Sequence, residues 1–137
     1  MTSELRVDNL KGSTTGGSIN VLGEGTSATT NLQQGLCKAW VNFDGTGTIA
    51  TRDTQNISGL TDGGTGVYAI AYTSSLNNDD YSYQIHGTNS SSGGITKLTS
   101  ASGSITTSDI DVQSLNAAQS AYQDNDDNSV SVHGDLA

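Results

Sequence analysis

The stretch Lys38-Ala39-Trp40-Val41-Asn42-Phe43-Asp44-Gly45-Thr46-Gly47-Thr48-Ile49-Ala50-Thr51-Arg52 decides how this 137-residue chain is read. From Lys38 to Phe43 the period is two, so Val41 and Phe43 share one face of a strand while Trp40 and Asn42 share the other. Asp44-Gly45-Thr46-Gly47 then supplies turn residues, and a second strand is expected near Thr48 to Arg52. The same signature returns downstream: Asn56 to Leu60, the turn Asp62-Gly63-Gly64-Thr65-Gly66, and Val67 to Tyr72. Further strands are expected at Ser82 to His86, Ile95 to Leu98, Ser104 to Ile110 and Ser129 to His133. Seven or eight short strands separated by turn signals predict an all-β body, a β-sandwich or jelly-roll-like knob. Asp111 to Tyr122 is ambiguous, because Val112, Leu115, Ala118 and Tyr122 also suit a short helix.

Composition points the same way. The chain holds 19 Ser, 18 Thr, 17 Gly and 11 Asn, together 65 residues, against two Glu and no Pro, and this excludes a long-helix protein. Only 26 residues are Leu, Ile, Val or Phe, just under the level at which disorder becomes a serious reading, although a net charge of −9 is too low to enforce it. In a chain of this size the gain from burying apolar surface and the conformational entropy lost nearly cancel, and a chain only 32% hydrophobic buries less than average. Association with copies of itself adds buried area without ordering further residues, so an obligate oligomer is expected.

Residues 1–28 read as an extended arm. Leu5 and Val7 alternate with Arg6, and Ile19-Asn20-Val21-Leu22 lies between two Gly/Ser/Thr-rich runs, too little apolar surface for an independent core. Residues 29–137 form the expected knob. Its first segment carries Leu32, Leu36 and Trp40 at i, i+4 and i+8 behind a Thr30 or Asn31 cap, the pattern of one short helix. Two packings suit that stripe: against the chain's own sheet, or around a threefold axis as a short collar. Leu32, Leu36 and Trp40 are therefore the candidate trimer-interface residues.

The charge balance argues against nucleic acid, since five Lys and Arg cannot neutralise a useful number of phosphates. No run approaches 18 apolar residues and the N-terminus lacks the charged-then-apolar pattern of a secretion signal, so a protein folded in a cytoplasm without membrane insertion is expected. Cys37 is the sole cysteine and reads as a small packing residue. No nucleophile elbow, HExxH, P-loop or dinucleotide glycine pattern is present, which points away from an enzyme and from a bound cofactor. His86 and His133 stand near strand ends without ligand-spaced partners. Asp124-Asn125-Asp126-Asp127-Asn128 resembles a calcium loop only superficially: Ser129 stands where an EF-hand needs Gly and no Glu closes it, so a solvated turn is expected, as at Asn77-Asn78-Asp79-Asp80. Glu4 and Glu24 sit in the arm and form no catalytic carboxylate pair. Of Tyr68, Tyr72, Tyr81, Tyr83 and Tyr122, those facing inward are core and any at a loop tip could stack on a sugar or a partner.

The arm MTSELRVDNLKGSTTGGS, the passage TTNLQQGLCKAWVNFDGTGTIATRD, the hairpin NISGLTDGGTGVYAIAYTSSLNNDDYSY and the ending VSVHGDLA together resemble small fibre-knob proteins of tailed bacteriophages, especially marine phages. The resemblance is weakest from Ser90 to Gln123. It implies a homotrimeric, β-rich knob on the virion surface that contacts other virion proteins through its arm and a host glycan or envelope protein through its loops. Almost no shaft precedes the helix-like segment, so a short appendage, a head fibre or a capsid decoration protein fits the length better than a long tail fibre. A cement protein of the head lattice and a free carbohydrate-binding module are the alternatives.

Overall fold

The computed structural model describes residues 4–14, 19–23, 27–91, 94–96 and 98–136, with side chains described outside 92–104. The chain divides into two compact units, residues 1–36 and 37–137. The expected boundary at 28/29 falls eight residues earlier, because Thr29–Leu36 folds with the arm.

In the first unit β1 (Asn20–Leu22) and β2 (Thr29–Asn31) pair antiparallel, with Val21 opposite Thr30. A single helical turn, α1 (Leu32–Gly35), follows, capped by Asn31, whose Oδ1 accepts the Gln34 N–H at 3.1 Å. Leu36 already lies in extended backbone at φ −92°, ψ 142°. The expected stripe of Leu32, Leu36 and Trp40 is therefore not helical: Leu36 lies beyond the helix and Trp40 belongs to a strand. One turn closes too few hydrogen bonds to propagate, and the period-two pattern from Lys38 prevails.

The second unit is all strands: β3 (Ala39–Asp44), β4 (Ala50–Gln55), β5 (Ile57–Gly64), β6 (Val67–Tyr72), β7 (Ser82–Asn89), β8 (Gly94–Thr96), β9 (Leu98–Ile105), β10 (Asp109–Ser114) and β11 (Asp127–His133). They form a four-stranded sheet, β5-β6-β10-β9, and a five-stranded sheet, β4-β3-β11-β7-β8, and neither closes into a barrel. All their pairings are antiparallel. The edge strand β4 is polar and almost wholly exposed, which discourages pairing with a further chain.

Strict alternation builds the core. Ala39, Val41 and Phe43 of β3, Val130 and Val132 of β11, Tyr68, Ile70 and Tyr72 of β6, and Ile110 and Val112 of β10 are all buried in one cluster with Leu76 and Tyr81. Phe43 and Tyr68, from different sheets, meet edge to face with centroids 5.0 Å apart. The tyrosines thus sort as core (Tyr68, Tyr72, Tyr81) and exposed (Tyr83, Tyr122).

Two segments depart from the expected strands. Ser104 to Ile110 is not one strand but the reversal between β9 and β10: Thr106 Oγ1 accepts from the N–H groups of Ser108 and Asp109, both at 3.1 Å. Asp111 to Tyr122 holds no helix; it finishes β10, turns around Asn116 and returns to bridge Leu115 to Tyr122.

Candidate functional site

The outward face of the five-stranded sheet carries a groove of about 570 Å³, open to solvent, whose side-chain lining is Trp40, Asn42, Gln84, His86, Ser129 and Ser131. Register explains it. Ser131 of β11 lies between Trp40 of β3 and Gln84 of β7, and Ser129 lies between Asn42 and His86. The central strand thus presents two short serines while its neighbours present long side chains, giving a floor and two walls. Neighbouring strands run about 4.8 Å apart, so the walls stand roughly 10 Å from each other.

One wall is fixed. The Trp40 indole Nε1–H donates to Gln55 Oε1 at 2.9 Å, across the β3-β4 pair, which restricts the ring of this partly buried residue. Asn42 Nδ2 donates to Asp127 Oδ1 at 2.7 Å and to Ser129 Oγ at 3.0 Å. On the other wall, the side chains of Gln84 and His86 form no hydrogen bond among the described residues, and neither does Ser131 on the floor. One side of the groove is therefore an anchored aromatic plate and the opposite side a set of solvent-facing polar groups.

Beyond Asn42 lies an acidic corner. The β3-β4 register slips between Asn42 and Phe43, leaving Arg52 as the extra residue of a bulge. Its guanidinium reaches Asp127 at 3.3 Å, Asp44 at 3.5 Å and the Asp126 carbonyl. Thr46 donates through both hydroxyl and backbone N–H to Asp44, holding its carboxyl below the usual carboxylate range with help from Arg52. Ser90 donates in the same double fashion to Asp126 and lowers its pKa.

The run 124–128 is not the solvated turn expected of it. Asp124 Oδ1 accepts from the Gly66 N–H at 2.6 Å and the Tyr68 hydroxyl at 3.1 Å. Asn125 and Asn128 are fully buried; Asn125 donates to Ser114 Oγ, and Asn128 Nδ2 donates to the Asn125 carbonyl at 2.9 Å. These groups clasp the β5-β6 turn to the five-stranded sheet, and among the described residues no group of three or more His, Cys, Asp or Glu is arranged to hold a metal. Glu4 pairs with Arg6 at 2.7 Å, while Glu24 lies outside the described residues. Cys37 Sγ faces the carbonyls of Ala39 and Val132 at 3.3 and 3.4 Å, a packing position.

The candidate interface residues fall in different units. Leu32 and Leu36 line, with Leu10, Ile19 and Gln33, a groove of about 250 Å³ in the arm unit, whereas Trp40 lines the sheet groove. Leu5, Val7, Leu10, Val21, Leu22 and Leu36 are all exposed, and no described residue of 1–36 is buried. Sequence reasoning placed Trp40 and Asn42 on one strand face but missed Gln84, His86, Ser129 and Ser131 as their companions. The signal was the Ser-x-Ser spacing in the final strand, readable only once β11 is known to lie between β3 and β7.

Comparison of the chain with protein-family models, with curated proteins and with solved structures finds no match.

Proposed function

We propose that this chain is a non-enzymatic virion protein of a tailed bacteriophage: a homotrimeric β-sandwich knob, displayed on the particle surface, held by its arm and contacting the host surface. The observation that carries this reading is the separation of apolar residues. Among the described residues, all twelve of the buried core belong to 37–137, whereas six large apolar side chains of 1–36 are exposed and none of its residues is buried. An arm of that kind gains stability by lying on a protein surface, each covered Leu or Val contributing about 1.5–3 kcal/mol. The two sheets sharing one core favour a sandwich, and a polar exterior rich in Ser, Thr and Asn suits a particle surface. The carboxylates nearest the groove are engaged in structural bonds, which favours binding over acid-base catalysis.

Native mass spectrometry of the full chain tests the assembly: a species of three 14.0 kDa chains is expected. The double variant Val21→Asp/Leu22→Asp should shift it to folded monomer. A wild-type chain that is a folded monomer throughout the micromolar range overturns the trimer. Immunogold labelling of purified particles tests location, and unlabelled particles overturn the virion assignment.

A further inference from the structure

We propose that the groove between Trp40 and the Gln84–His86 wall is a binding subsite for a single neutral pyranose ring of a glycan. The proposal deepens the reading of this chain as a host-contacting knob, and rests on it for the biological source of the sugar.

Three features of the groove select this ligand. Its volume of about 570 Å³ lies in the range of small-molecule sites. Its outward side chains are one indole with amides, hydroxyls and an imidazole, while Val41, Ile85 and Val130, which also line it, pack their side chains on the core, so the groove pairs one aromatic plate with hydrogen-bonding groups. No carboxylate and no Lys or Arg lines it, although the chain carries a net charge of −9 and Asp127 bonds to Asn42 at the rim. An anionic sugar would be repelled by that surrounding charge, while a cationic ligand would settle at the rim rather than on the serine floor.

The geometry divides the work as a pyranose needs it. The apolar C–H face of the ring lies against the Trp40 indole, which Gln55 restricts beforehand, so less ordering is required on binding. Ring hydroxyls then meet Gln84, His86 and Ser131, whose polar groups have no partner among the described residues and exchange water for sugar. Ser129 and Ser131 leave the ring its space, since any larger side chain there would stand in the middle of the groove.

Trp40 is the sole tryptophan, so intrinsic tryptophan emission reads this site directly. The full chain is titrated with D-glucose, D-galactose, D-mannose and N-acetyl-D-glucosamine, and with their neutral oligomers. A saturable change in emission is expected with at least one of them. Ser131→Leu, which fills the floor, should weaken it by about tenfold or more, and Gln84→Ala, an exposed change that leaves the core untouched, by roughly threefold to tenfold, the worth of one hydrogen bond. No saturable response to any neutral probe overturns the proposal, and so does a response that both variants leave unchanged. If Ser131→Leu instead abolishes a trimer seen by native mass, the face is an interface between copies and the proposal is likewise overturned. A trimer without saccharide response refutes the groove alone; a monomer that responds refutes the assembly alone.

Discussion

Replacing Gly66 by alanine puts a methyl group where the chain has no room and in a backbone conformation that a Cβ disfavours. Gly66 closes the β5-β6 hairpin at φ +66°, in the left-handed region, which costs a non-glycine residue about 1–2 kcal/mol. Its Cβ would also press on the Ser114 carbonyl oxygen and lie 2.8 Å from the Gln123 N and 3.0 Å from the Gln123 O. All three are backbone atoms, so no side chain can rotate away. Two of the groups involved are engaged in the same place: Ser114 N–H donates to the Gly66 carbonyl at 2.7 Å, and Gln123 N–H to the Ser114 carbonyl at 3.0 Å. Moving the hairpin to relieve the contact stretches these bonds and the Gly66–Asp124 bond, adding about 1–3 kcal/mol by the usual cost of overpacking. The expected destabilisation of Gly66→Ala is therefore about 2–5 kcal/mol. Gly47 provides the control, because it has φ +62° but nothing within 4 Å of its Cβ, so Gly47→Ala should lose only the backbone share, about 1–2 kcal/mol. Both are read by urea denaturation followed through Trp40 emission. Equal losses for the two variants would refute the steric part of the reasoning, and a Gly66→Ala loss under about 0.5 kcal/mol would refute it whole.

Phe43→Ala removes the ring that meets Tyr68 between the two sheets and should cost about 3–5 kcal/mol; a fall in the urea midpoint no larger than that of an exposed substitution would contradict the shared core. Ser90→Ala removes the hydroxyl, the larger of the two Ser90 donors that lower the Asp126 pKa, and keeps the backbone N–H. A depressed carboxylate stabilises the fold above its unfolded value of about 4 and loses that effect as pH falls through the depressed value, so the variant should be less stable than wild type near pH 7, with the difference shrinking as pH falls below about 4. Burial raises the Tyr68 and Tyr72 hydroxyls above their ordinary value. Their contribution is intact below about pH 10 and lost above it, so alkaline unfolding should move to higher pH in Tyr72→Phe, and an unchanged profile counts against that origin.

The strand series was legible because each strand carries its own alternation and each tight turn its own glycine. Val41 and Phe43 against Trp40 and Asn42 needed no partner to be sorted. Where reading failed, a local polar group substituted for a signal. The β9-β10 reversal has neither Gly nor Pro; a threonine hydroxyl caps it, and Thr-Thr-Ser looks the same in a strand. Asn125 and Asn128 read as loop residues because amides usually are; tertiary bonds to Ser114, Phe43 and the Asn125 carbonyl hold their amide nitrogens inside the fold, while Asn128 Oδ1 is buried without a partner. Leu32, Leu36 and Trp40 satisfied a helical spacing by coincidence, since the same Trp40 also fits the strand that follows. The groove was the least legible feature, as its walls and floor come from segments more than forty residues apart along the chain.

The strand order of the five-stranded sheet also fixes when this protein can become itself. β3 is made early and β11 late, yet β11 lies between β3 and β7, and Asn42 waits for a bond partner 85 residues downstream. On the ribosome, β3 and β7 cannot join one sheet until residues 127–133 have emerged to pair with both. Until then β3 and β7 each present an unpaired edge, and the nascent chain carries an open slot. Completion of the sheet thus follows synthesis of residues 127–133, and a strand supplied by another copy would fit the same slot before then.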